Sequence, residues 1–217
     1  DSGEANCVCQ STSGYIWIGT DNGIYRYDGS EFTLFPLDSD EDGTKYSINC
    51  IYLTSDDKLY VGTDNYGLYV YDNGAFNRVA ETYNLGVSTI NAMYEDDNDQ
   101  LWLASSSGIY YLTSDGVKMV DDEGISGYNI GNISGYDGTI YATANNDVLI
   151  RVDENGEITV TSKSSYGIDD INSLYIDENG TRYYGSAGYS ILTINSKGKV
   201  GVINTGSLHG INKIYND

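Results

Sequence analysis

A chain of 217 residues is long enough to bury a substantial core, as one domain or as one array of repeats. Its 32 acidic side chains outnumber 11 basic ones and leave a net charge of −21 at pH 7, which argues against DNA, RNA or anionic lipid as a partner, since each needs a positive footprint. No apolar run approaches the ~20 residues of a membrane span, so this segment is not expected to enter a bilayer, and 22 tyrosines argue against disorder. The cysteines, Cys7, Cys9 and Cys50, read as small buried or half-buried side chains. Zinc is not expected, because the Cys-x-Cys pair has no matching second pair and the single histidine, His209, is remote.

Read in order, the chain keeps rewriting one stretch. Residues 15–28, YIWIGTDNGIYRYD, return as LYVGTDNYGLYVYD at 59–72 and as LWLASSSGIY at 101–110, with weaker copies at 140–144 and 183–189. A second marker is an Asn ahead of a short apolar alternation: Asn6, Asn49, Asn91, Asn132, Asn172 and Asn212, at steps of 43, 42, 41, 40 and 40. A near-constant period in the forties, with four strand-like segments per unit and no stretch suited to a pair of helices, predicts an all-β fold. The expected form is a β-propeller of about five four-stranded antiparallel blades.

The first blade is expected over residues 5–44, with hairpin turns at Asp21-Asn22-Gly23 and Asp28-Gly29-Ser30, where Asn and Gly accept positive φ. The second, 45–86, copies it nearly position for position. The third, 87–127, keeps Trp102 where the first has Trp17 and adds the acidic run 95–99. The fourth, 128–168, diverges most, with Asn145-Asn146-Asp147 in place of the glycine turn. The fifth, 169–210, recovers the pattern, and 211–217 reads as the first strand of a sixth blade, so that the chain is expected to be part of a larger propeller.

Three columns follow from the repeat. Trp17, Tyr60, Trp102, Tyr141 and Tyr183 should pack between blades, and Gly19 should permit a neighbouring blade to approach closely. Val8, Ile51, Met93, Leu174 and Ile214 should point inward from the innermost strands. The Asn column should serve structure, each amide bonding nearby backbone through a local turn.

The segment Ser47 to Phe76, and nearly as well Asn6 to Phe32, resembles the two-component regulator propeller repeat: Ser-Ile-Asn-x-Ile-Tyr, an aliphatic-aromatic-aliphatic-Gly-Thr strand, then Asp-Asn-x-Gly-Leu-Tyr-x-Tyr-Asp and a Phe. That resemblance implies the extracytoplasmic sensor part of a membrane-anchored bacterial receptor, coupled to a histidine kinase or diguanylate cyclase. It also implies that a carbohydrate fragment is a ligand to expect.

The residues themselves give no catalytic constellation. The carboxylates sit in turns, where solvation keeps them ordinary, and His209 has no nucleophile motif beside it, so the chain is expected not to be an enzyme and to need no cofactor. Asp38, Asp40 and Asp42 open like a calcium loop, but the twelfth position is Asn49, not the bidentate Glu that completes one. An incidental acidic loop is therefore the plainer reading. Ligand binding is expected at one end of a channel, on the loops that carry Asp64, Tyr66, Tyr83, Tyr128, Asn145, Tyr166 and His209, where aromatic faces beside Asp and Asn suit a sugar. The rival class is a scaffold that binds protein, through further blades or domains of the polypeptide or a second copy.

Overall fold

The computed structural model describes residues 3–37, 45–79, 86–87, 89–120, 124–188, 190–206, 210–211 and 213–214. Asp38, Asp40, Asp42, Tyr83 and His209 lie outside them. The fold is an all-β propeller architecture of five four-stranded sheets, each a meander in chain order. They are β1 (Ala5–Gln10), β2 (Ile16–Thr20), β3 (Gly23–Tyr27) and β4 (Phe32–Phe35); β5 (Ile48–Leu53), β6 (Leu59–Thr63), β7 (Leu68–Asp72) and β8 (Ala75–Arg78); and β9 (Ile90–Glu95), β10 (Leu101–Ser105), β11 (Gly108–Thr113) and β12 (Gly116–Met119). The fourth blade has β13 (Ile130–Tyr136), β14 (Thr139–Ala144), β15 (Val148–Val152) and β16 (Ile158–Ser162). The fifth has β17 (Ile171–Ile176), β18 (Arg182–Ser186), β19 (Ser190–Ile194) and β20 (Val200–Asn204). Neighbouring strands pair antiparallel, as β1 does with β2 and β9 with β10. The chain divides into two compact units, residues 1–106 with 110–119, and residues 107–109 with 120–217.

In the first unit the core lies between blades. Trp17, Ile24, Ile48, Val61, Tyr69 and Phe76 close the seam between the first and second blades, and Tyr60, Leu68, Ile90, Met93, Leu103 and Tyr110 that between the second and third. A four-stranded sheet cannot cover both of its faces, so each seam supplies the burial that a lone blade lacks. In the second unit Leu149, Ile168, Ile171, Tyr184 and Leu192 form the corresponding seam. The inward column needs one correction. Ile51, Met93 and Leu174 pack in these cores, but Val8 is 68% exposed, because it lies on the face of the first blade turned away from the second.

The Asn column has a structural cause that spacing alone does not reveal. Pairing of β1 with β2 runs Ala5↔Thr20 and then Cys7↔Gly19, so Asn6 is the extra residue of a β-bulge. The same slip leaves out Asn49, Asn91 and Asn172. A bulge turns its side chain out of the pleat. The Asn6 amide thereby donates to the Ile48 carbonyl at 3.1 Å, and the Asn49 amide to the Ile90 carbonyl at 3.3 Å. The expected local turn is thus corrected to a clip onto the following blade. In the fourth blade the bulge falls on Gly131 instead, between Ile130 and Asn132. Asn132 then bonds Thr143 across its own strand pair at 3.0 Å and still reaches the Asn172 carbonyl at 3.4 Å.

Turn chemistry also recurs. Ser11, Thr54, Asp96, Asp153, Asp177 and Asn195 each donate their N–H to the carbonyl four residues on and accept an N–H from the residue three on. That third-on residue takes positive φ, and it is Gly14, Asp57, Asp99, Gly156, Gly180 or Gly198, as a three-residue hairpin loop with a left-handed residue requires. On the next turn of the first blade, Asp28 accepts the Glu31 N–H at 2.9 Å and the Ser30 N–H and hydroxyl at 2.8 Å. These donors, the Glu31 N–H foremost, hold its carboxyl down to about 2. A carboxyl whose native value is depressed stabilises the fold above its ordinary value near 4 and loses that contribution as pH falls toward 2. An NMR titration should therefore find the Asp28 carboxyl still ionised at pH 3, and Asp28→Asn should flatten acid destabilisation between pH 4 and 2. An Asp28 midpoint near 4 would contradict the geometry.

Candidate functional site

Antiparallel meanders send the first-to-second and third-to-fourth turns of a blade to one end and the second-to-third turn to the other. In the first unit two clefts open at the former end, and a third, of about 300 Å³, lies along the first blade between Gly3, Ile18, Tyr25 and Phe32. The largest, about 440 Å³, lies between the second and third blades. Its walls are the β5–β6 turn with Asp56 and Lys58, the β9–β10 turn with Asn98 and Asp99, and the β11–β12 turn with Ser114.

Hydrogen bonds across the seam fix this end. Glu95 accepts the Ser55 N–H at 2.7 Å and the Ser55 hydroxyl at 3.0 Å, and the hydroxyl also reaches Asp99 at 3.2 Å. The Glu95 N–H donates to the Tyr52 hydroxyl at 3.1 Å. Asp96 anchors its own turn by accepting from Asn98, Gln100 and the Trp102 indole, and the Gln100 amide donates to the Leu112 carbonyl. Lys58 pairs with Asp56 at 2.6 Å, which raises the lysine and lowers the carboxyl from their ordinary values. Burial raises the Tyr60 phenol, so Tyr60 keeps its proton and can donate at neutral pH.

The cleft is therefore rich in fixed acceptors, Asp56, Glu95 and Asp99, beside the Asn98 amide and an apolar floor of Leu101 and Leu112. Such a set suits a neutral ligand with many hydroxyl donors and repels an anion. Among the described residues, no three His, Cys, Asp or Glu side chains converge as a metal would need.

Of the residues singled out from sequence, Asp64, Tyr66, Tyr128, Asn145 and Tyr166 are described, and they lie at the opposite end of their blades, in packing or turns. Asp64 accepts the Thr89 hydroxyl at 3.1 Å, and Tyr66, two residues on, packs against Tyr46 with ring centroids 4.6 Å apart. In the second unit the Asn145 side chain accepts the Asn129 N–H at 3.1 Å, and half-buried Tyr128 closes a turn onto the Ile125 carbonyl. Tyr166 lines a small cleft of about 90 Å³ beside Tyr141 and Arg182. Thus Asp64 with Tyr66, and Tyr128 with Asn145, are neighbours in sequence or through one turn, but neither pair lines a cleft described here. The cleft residues were marked only by the acidic run 95–99.

The sequence family described as two component regulator propeller matches residues 84–107, a segment that takes in β9 and β10. A comparison with curated protein sequences finds no match. Among solved structures, the extracellular domain of a protein described as a hybrid two component system from B. thetaiotaomicron superposes with a TM-score of 0.77 at 16% identity, over 93% of this chain and 30% of its own. A catalytically inactive virginiamycin B lyase from Staphylococcus aureus, with quinupristin, gives 0.73 at 16% identity over 94% of this chain and 70% of its own. A streptogramin B lyase gives 0.72 at 18%, over 96% and 70%. At such identities the likeness is one of fold.

That likeness corrects one expectation. The chain was expected not to be an enzyme, yet the two lyases share its fold over nearly its whole length. A propeller of this build is thus no argument against catalysis, because function lies in the site and not in the fold.

Proposed function

We propose that the chain is a ligand-binding propeller of the two-component regulator kind, from the extracytoplasmic part of a bacterial receptor, and that it recognises a neutral carbohydrate fragment. The cleft between the second and third blades carries this reading: fixed carboxylate and amide acceptors for hydroxyls surround an apolar floor. Two comparisons support it. The segment matching the two component regulator propeller contributes Glu95, Asn98 and Asp99 to that cleft, and the fold is that of the extracellular domain of the hybrid two component system above. The chain spans 30% of that domain, so the receptor's output and membrane attachment belong to the proposal too.

Calorimetric titration with a panel of neutral di- and trisaccharides tests it. At least one should bind, and Asn98→Ala should weaken it about tenfold, the loss of one or two hydrogen bonds. If Tyr66→Ala or Tyr128→Ala abolishes binding while Asn98→Ala does not, the ligand lies at the other end of the blades. The absence of any saccharide binding would favour the scaffold reading, which has one observation behind it. Val8 and Phe32 are 68% and 63% exposed, although Ile51 and Phe76, their counterparts in the second blade, pack in its core, and Leu34 beside them is 53% exposed.

A further inference from the structure

We propose that a second cleft, around Arg26 at the seam of the first and second blades, is a binding site for a small monocarboxylate. It does not depend on the saccharide reading. The cleft measures about 170 Å³ and opens beside Ser11, Ser13, Asp57 and Tyr71. The Arg26 guanidinium stands over three rings, 4.3 Å from the centroid of Tyr15, 4.8 Å from Phe35 and 5.8 Å from Trp17. Rings hold the cation by its face and leave the N–H groups at its rim free to donate.

Those donors have no taker among the described residues. Arg26 makes no ion pair with them, although the chain holds 32 acidic side chains. The nearest candidate in sequence, Asp28, turns one oxygen to the Ser30 and Glu31 donors and forms no ion pair with Arg26. Asp57, across the cleft, accepts the Thr12 hydroxyl at 2.7 Å. The other arginines with comparable positions are satisfied. Arg151, which faces Tyr141 across its strand pair as Arg26 faces Trp17, pairs with Asp153 at 3.7 Å. Arg182, stacked over Tyr141 at 4.6 Å, donates to the Ile194 and Asn195 carbonyls.

Packing does not require the charge. The second blade has Val70 in the register of Arg26, opposite Tyr60, and its seam is as well buried. A half-buried guanidinium with open donors, an aromatic wall and two hydroxyls nearby is a receptor for a carboxylate, which Arg meets with two parallel N–H bonds. Asp57 on the opposite wall selects against dianions and polyanions and tolerates a monoanion, whose single charge Arg26 neutralises.

Benzoate and its neutral analogue benzamide serve as probes, read by NMR shifts of the two tryptophan indoles. The Trp17 indole should shift on benzoate titration while that of Trp102 stays still, and benzamide should bind at least about tenfold more weakly, as expected where an ionic hydrogen bond is lost. Arg26→Val, which installs the residue found at this register in the second blade, should preserve the folded spectrum and abolish the difference. Arg26→Lys, keeping charge without the fork, should bind benzoate more weakly than the parent and more strongly than Arg26→Val. Equal binding of benzoate and benzamide, or benzoate binding unchanged in Arg26→Val, would overturn the proposal.

Discussion

Trp17→Ala should lower unfolding stability by about 3–5 kcal/mol, the usual cost of emptying a buried tryptophan site. Trp17 is 3% exposed. Its indole meets Phe35, Tyr71 and Phe76 edge to face at centroid distances of 5.0, 5.0 and 5.6 Å, so rings from two blades lose their common partner together. Against a typical stability of about 5–15 kcal/mol such a loss should be plain in equilibrium urea unfolding, as a fall in midpoint. Trp102 holds the same register position in the third blade but is half-buried, with its N–H on Asp96 at 2.9 Å. Trp102→Ala should therefore cost less. Equal costs would mean that the aromatic column, and not the ring cluster at the first seam, sets the energetics.

Gly62→Ala should be the next most damaging. A methyl group there would lie 2.5 Å from the Cys50 sulfur and 2.8 Å from the Ile90 side chain of the following blade. Overpacking of a well-filled seam costs about 1–3 kcal/mol. The third blade shows how the same position accepts an alanine, since Ala104 faces Ala92 where Gly62 faces Cys50. Adding Cys50→Ala to Gly62→Ala copies that pair and should restore part of the loss. Gly131→Ala is the control: only the Thr143 hydroxyl comes within 4 Å, at 3.8 Å, and its φ is not in the left-handed region. Its thermal midpoint should stay within about a degree or two of the parent's, and a large fall would show that the glycines act through backbone freedom and not through space.

Much of this architecture could be read from spacing. Repeats at forty-odd residues, and turns that need positive φ, determine where strands begin and end, and the tyrosine and tryptophan column landed in register in all five sheets. Asn132 shows the limit. It keeps the repeat's step, yet the bulge has moved to Gly131, a shift of one residue that no composition records. Val8 alternates like its counterparts, but its exposure depends on what covers that face.

The candidate site was less legible. Sequence marks loops, but not which pair of neighbouring turns leaves a gap, and the two seam clefts of the first unit open beside Asp57 and Asp99, away from Asp64 and Tyr66. Arg26 carries a signal in the repeat itself. It is a base where the second blade carries Val70 and the fifth Thr193, and where the fourth carries Arg151 with Asp153 beside it, an acid that Arg26 lacks.

The amides on the bulges give the repeat a direction. Asn6 and Asn49 each reach forward to the blade that follows, and Gly19 and Gly62 make room for that blade's Ile48 and Ile90. A blade is therefore asymmetric as a building block, with a donor side and an acceptor side, like a tile whose tongue fits only one edge. Shuffling or duplicating repeats within such a chain preserves the seam only when a small residue on the second strand still meets the incoming isoleucine, however different the outer strands have become.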